Sequence, residues 1–201
     1  MQEPKIVGIG GLTRSGKDTL AELFIADGWF GISFGDVIRG FAKERHKNDL
    51  DSISVANMTE TANWLRENRG ADVVLREALK QYEKHQAVGN NVKGLVLWSV
   101  RVPVEVDFIL AHGGQLIWVE AKDTVRHSRA MDDMRTGEQR KTLEEFNAQE
   151  ALQWQPQPDV PKEAQMDVSY VKSNATKIIE NNGNNKTEFV TQAQKIIDDL
   201  I

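Results

Sequence analysis

The chain has 201 residues, 40% hydrophobic and 27% charged, which suits one globular domain (1–201) with a real core. Its net charge is −5 with no basic stripe, which argues against a dedicated nucleic-acid binder. It has no cysteine, which excludes disulfides and thiolate zinc sites, and no apolar run long enough to span a membrane. No signal-peptide pattern opens it, so a reducing cytoplasm is the expected setting. His46, His85, His112 and His127 are scattered without ligand spacing and read as helix-surface or loop residues.

Lys5 to Ile9 is short, apolar and β-branched and predicts a buried strand, which Gly10 and Gly11 break. Asp18 to Phe24 restores a helical spacing with Leu20, Leu23 and Phe24. Between them lies Gly11-x-x-x-x-Gly16-Lys17, a phosphate-binding loop in the strand–loop–helix context that such a motif requires. The residue types follow from the chemistry. Glycines let backbone N–H groups turn inward around an anion, and the next helix adds its positive end. Lys17 brings a mobile full charge to the β- and γ-phosphates. The candidate phosphate-binding set is Gly11, Thr13, Arg14, Ser15, Gly16, Lys17, Asp18 and Thr19. Where such loops continue with a magnesium-binding Ser or Thr, this chain has Asp18, then Thr19. Asp18 is either a magnesium ligand, directly or through water, or a negative charge that weakens phosphate binding.

Trp29 to Phe34 predicts a second strand, and Val37 to about Lys47 a helix after Gly35-Asp36. Met58 to Arg69 predicts a helix capped by Thr59 and stopped by Gly70, and Asp72 to His85 another. Leu95 to Val100 is a continuous apolar run fit for a central parallel strand. Pro103 starts a helix to about His112, Leu116 to Val119 is a buried strand, and Thr124 to Met134 reads as helix. Residues 135–141 form a polar segment. Thr142 to Leu152 is helical, with Thr142-x-x-Glu145 as a capping box. Gln153 to Pro161 holds three prolines and reads as an extended linker or loop. Gln165 to Ala175 fits a short helix or a strand, Lys177 to Glu180 a strand, 181–185 a turn and Glu188 to Leu200 the last helix. The alternation predicts an α/β fold, a parallel sheet covered on both faces. Ligands bind outside the carboxyl ends of such strands, so the loop at Gly11–Lys17, the Gly35-Asp36 corner and the end of Val100 should converge on one cleft.

The order of motifs resembles the P-loop kinases of the nucleoside monophosphate kinase and dephospho-CoA kinase type, and most of all the dephospho-CoA-kinase-like nucleotide kinases of archaea. The resemblance runs over nearly the whole chain. It is carried by Gly11-x-x-x-x-Gly16-Lys17-Asp18-Thr19, Ile32 to Arg39, Ala62 to Arg66 with Gly70, Arg101-x-Pro103-x-Glu105-Val106, Lys141 to Phe146 and Ile179 to Gly183. It implies a three-layer P-loop NTPase fold with a five-stranded parallel sheet and a short helical lid at about 126–141. It also implies ATP and magnesium as cofactors and small nucleotide-type acceptors as partners. By the same resemblance Arg39 and Arg101 hold the acceptor, and Asp36 serves the acceptor or the metal, or simply caps the second helix. Arg129 and Arg135 act in the lid with Arg126 and Arg140 behind them, unless these arginines form a solvated helix face. Asn181, Asn182 and Gly183 lie beside the adenine. Trp98-Ser99 stands where such kinases often carry Asp-Gly. That replacement motivates a second expectation, a nucleotide-binding regulatory protein with little or no kinase activity.

Overall fold

Strand β1 (Lys5–Gly11) is the middle of a five-stranded sheet because both of its faces are apolar, Ile6 on one side and Val7 and Ile9 on the other. The strand order is β2 (Phe30–Ser33), β3 (Gly94–Val100), β1, β4 (Gln115–Glu120), β5 (Lys177–Glu180), and every neighbouring pair is parallel. The computed structural model describes residues 4–89, 91–134, 140–151, 165–183 and 186–200. The segments predicted at Gln153 to Pro161 and the candidate Arg135 lie outside the described residues.

Helices cover both faces. Ile6, Leu95, Leu97, Leu116 and Trp118 pack under α2 (Phe34–Arg45), α3 (Val55–Arg69), α4 (Val73–Ala87), α5 (Pro103–Ala111) and α8 (Val168–Ser173). Val7, Ile9, Val96, Ile117 and Val119 pack under α1 (Lys17–Ala26) and α9 (Lys186–Asp198). Each such fully buried aliphatic side chain contributes about 1.5–3 kcal/mol. Two further helices, α6 (Asp123–Asp132) and α7 (Leu143–Ala151), follow β4 and pack on one another beside the phosphate loop. Among the described residues, no helix is long and apolar enough to cross a membrane.

Local chemistry moves several boundaries from their expected places. Ser33 caps α2 by accepting the Asp36 N–H at 3.1 Å, so α2 starts at Phe34 and Asp36 lies inside its first turn instead of capping it. Ser54, not Thr59, caps α3; Thr59 lies a turn inside and bonds the Val55 carbonyl at 2.8 Å. The ambiguous stretch after Gln165 is helix α8, capped by Asp167. The Thr142 and Glu145 capping box forms as expected, with reciprocal bonds of 2.8 and 3.2 Å.

Candidate active site

The phosphate loop joins β1 to α1. Arg14 (φ 61°) and Gly16 (φ 105°) both adopt left-handed backbone, the alternation that turns successive amides toward one point. Gly16 is required twice over. Its φ disfavours a side chain, and an added Cβ would stand 2.3 Å from Asn181 Nδ2. Asn181, just past β5, braces the loop by donating to the Ser15 carbonyl at 2.8 Å. Ser15 Oγ is buried without a hydrogen-bond partner among the described residues. The Lys17 side chain is buried, with Nζ 3.6 Å from the half-exposed Asp18 carboxylate.

From this loop a cleft of about 460 Å³ runs along the carboxyl ends of β2 and β3. Lys17 and Asp18 line one end, Asp36 and Arg39 a wall from α2, Asn63 and Arg66 a wall from α3, and Trp98, Ser99 and Arg101 the edge of β3. The convergence expected from strand polarity is therefore present. At the end of β3 the register to β1 skips from Trp98 to Val100. Ser99 sits at that irregularity with φ 64°. A serine thus holds a glycine-like conformation at a cost of about 1–2 kcal/mol.

The cleft's charges are uneven. Arg66 is buried, and its Nε and Nη1 have no hydrogen-bond partner among the described residues. Burial pushes its guanidinium below its ordinary value, opposed by the charge of Glu105. Arg101 is half-buried and shifts the same way, first from burial, again opposed by Glu105. Glu105 itself reaches back from α5 to the N–H groups of Arg101 (2.8 Å) and Val102 (3.3 Å). Burial pushes its carboxyl up, and Arg66 is the largest opposing influence. One carboxylate therefore faces two guanidiniums. At the rim, Arg39 pairs with exposed Asp36 one turn away.

The α6–α7 side of the loop is different. Arg126, 1% exposed, donates to the Ala121 carbonyl (3.0 Å), the Thr13 carbonyl (3.3 Å), Asp123 (2.8 Å) and Glu150. Arg129 donates to the carbonyls of Arg14 (3.3 Å), Asn181 (3.0 Å) and Gly183 (3.0 Å). Burial alone pushes its guanidinium down. Arg14 pairs with Asp133 at 2.6 Å.

The scan against protein-family models finds no match, and no curated protein matches the sequence. The structure has solved counterparts. TT1252 from Thermus thermophilus aligns over 98% of this chain and 98% of its own, with a TM-score of 0.58 at 20% identity. Shikimate kinase from Bacteroides thetaiotaomicron aligns over 98% of each chain, with a TM-score of 0.54 at 13% identity. Dephospho-CoA kinase from Campylobacter jejuni aligns over 97% of this chain and 96% of its own, with a TM-score of 0.53 at 18% identity. The fold is a P-loop kinase fold. The five-stranded parallel sheet expected from the motif order is that of this fold.

Within the P-loop kinase fold the expected residues separate into three sets. Thr13, Lys17, Asp18, Asp36, Arg39 and Arg101 all line the cleft. Arg129 does not; it binds the backbone around Asn181–Gly183, and Asn182 accepts the Lys122 N–H at 2.7 Å. A second hollow beside Asn181, Asn182 and Gly183 is lined by Glu180, Glu188, Phe189 and Gln192. Arg140 is exposed.

Arg66, Glu105, Arg126 and Glu150 carry more of the site's electrostatics than the sequence suggested. A signal for them existed. Arg66 is in phase with Ala62, Glu105 with Ile109, Arg126 with Ala130 and Glu150 with Phe146, so each charge falls on its helix's buried face.

Proposed function

We propose that the protein is an ATP-dependent phosphotransferase acting on a small, negatively charged acceptor of the nucleoside monophosphate or dephospho-CoA class. The observation that supports this most is Arg66. A buried guanidinium with orphaned donors, repelled by the charge of Arg101 and sharing with it the charge of Glu105, is costly unless an anion completes it. It opens on the same cleft as Lys17, so donor and acceptor phosphates would meet there.

The roles divide as follows. The loop amides and Lys17 hold the donor's phosphates and offset the charge that builds on them during transfer. Arg66 and Arg101 orient the acceptor's anionic group, and Arg39 adds a rim contact. Holding both groups in line supplies most of the rate, since phosphoryl transfer demands little covalent chemistry of the protein. A phosphate acceptor is its own nucleophile and needs no base. A sugar hydroxyl needs one, and Asp36, exposed at the cleft wall, is placed to take that proton. Asn182 and Gly183 border a hollow suited to the donor base.

Magnesium fits this donor set. No group of three or more Asp, Glu, His or Cys among the described residues could hold a metal. Yet magnesium on a nucleotide takes one or two carboxylates and completes its shell with phosphate and water oxygens. Asp18, half-exposed beside Lys17, would supply the carboxylate, and the ion would neutralise charge between the donor phosphates.

The test is ADP release with ATP and magnesium against ribo- and deoxyribonucleoside monophosphates and dephospho-CoA, with Lys17→Ala as control. Turnover with one acceptor, lost in the control, is the expected result. A second reading, nucleotide binding without transfer, is favoured by Trp98 lining the cleft where an acidic residue is expected. It predicts nucleotide binding that Lys17→Ala abolishes, with no ADP release on any acceptor.

A further inference from the structure

Helix α7 brings one polar side chain to the cleft. Gln149 lines it together with Lys17, Arg66 and Arg101. Its neighbour Glu150 is 4% exposed and does not line the cleft. Glu150 accepts the Thr13 N–H at 3.1 Å and bonds Arg126, which in turn holds the Thr13 carbonyl at 3.3 Å. These bonds tie the end of α7 to the phosphate loop. Successive residues of a helix point about 100° apart, so with Glu150 turned into that framework Gln149 is left to face the cleft.

The orientation of its carboxamide is fixed. Gln149 Oε1 accepts from Lys141 Nζ. Lys141 is anchored in turn, because His127 of α6 bonds its carbonyl at 2.7 Å. With the oxygen engaged, the NH2 group is the free end, and it has no hydrogen-bond partner among the described residues. An amide whose oxygen accepts from an ammonium is also a better donor, since the two bonds polarise one another. The cleft therefore holds unpartnered donors on two walls, Arg66 from α3 and Gln149 from α7. A ligand rich in oxygen, such as a phosphoryl group, satisfies both.

We propose that Gln149 is a substrate-binding residue of the cleft, its NH2 group donating to an oxygen of the anionic group bound there, with Lys141 as the positioning residue behind it. This rests on the reading of the cleft as the place of phosphoryl transfer. Lys17, Arg39, Arg66 and Arg101 already supply charge to the cleft. Gln149 supplies direction, a donor of fixed orientation that adds no further charge.

The experiment measures ADP release by the full chain with ATP and magnesium against the nucleoside monophosphates and dephospho-CoA, together with the Tm of each variant. Wild type, Gln149→Glu, Gln149→Leu and Lys141→Met are compared. Gln149→Glu decides the matter. It keeps the shape of the side chain and its carboxylate still accepts from Lys141, so support of the fold is preserved. Only the donor facing the cleft is changed, to a negative oxygen. The expected result is an unchanged or higher Tm with kcat/KM for the acceptor about 100-fold lower. Gln149→Leu is expected to lower kcat/KM about tenfold. Lys141→Met is expected to lower it about threefold, with no further loss in the Gln149→Leu background. Gln149→Glu with wild-type kcat/KM overturns the proposal. Losses in both Gln149 variants that follow a fall in Tm also overturn it, because Gln149 would then serve packing alone. If wild type turns over no acceptor, the phosphotransferase reading fails and this proposal with it; that outcome is seen in wild type, independently of any variant.

Discussion

Arginines flank the phosphate loop on two sides, and their surroundings treat them oppositely. On the α6–α7 side Arg126 is saturated, with two carbonyls and two carboxylates around it, and Arg129 bridges three backbone carbonyls. On the α3–β3 side Arg66 is almost as deeply buried, yet two of its donor nitrogens have no hydrogen-bond partner among the described residues. The first group is bonded into the framework; the second is left with binding capacity. Burial alone does not distinguish a bracing arginine from a binding one, whereas the state of its donors does.

The contrast breaks most sharply on deletion of the guanidiniums. Arg126→Met leaves Glu150 buried without its charge partner and is expected to cost about 3–5 kcal/mol in urea unfolding. Arg66→Met removes a guanidinium with two unbonded donors but also takes from buried Glu105 its largest charge partner, so the same measurement should change, by less than for Arg126→Met. A loss should also appear in kcat/KM for the acceptor, about 10–100-fold, the value of one or two charge-assisted hydrogen bonds. Equal destabilisation by both variants would erase the distinction.

A smaller effect sharpens it. Ser99, on the binding side, holds left-handed backbone, so Ser99→Gly should raise stability by up to about 1 kcal/mol in the same unfolding assay. The smallest expected effect lies outside both groups. Glu60 is held below its ordinary value of 4.5, first by its hydrogen bond to Arg45. Because the folded value is the lower one, the pair's contribution is present above 4.5 and is lost as pH falls through the lowered value. The stability gap between wild type and Glu60→Gln should therefore close in acid unfolding below about pH 4.5. A gap that persisted into stronger acid would show that Glu60 acts other than through its charge.

The strands, their alternation with helices and the P-loop were legible because they are local. β-branched runs, a glycine-spaced loop and a lysine at fixed distance write their own geometry. The convergence of Lys17, Asp36 and Arg101 was also accessible, since strand polarity brings the carboxyl ends together. Helix starts were less legible. Ser33 belongs to a strand and caps a helix at once, so apolar spacing placed the start of α2 three residues late. Which arginine does what was not legible at all. Arg66 and Arg126 look alike along the chain, each on a helix and in phase with apolar neighbours.

The sequence by itself determined that a P-loop stands at the carboxyl end of a strand in a parallel sheet, since those signals lie within a few residues of one another. Only the tertiary structure decided that Arg126 is spent on Glu150 and the Thr13 peptide while Arg66 faces the cleft undersupplied. The reason is distance along the chain. Arg126 and Glu150 are 24 residues apart, and Thr13 and Glu150 are 137, so whether a charge finds its partner is fixed only when the helices pack.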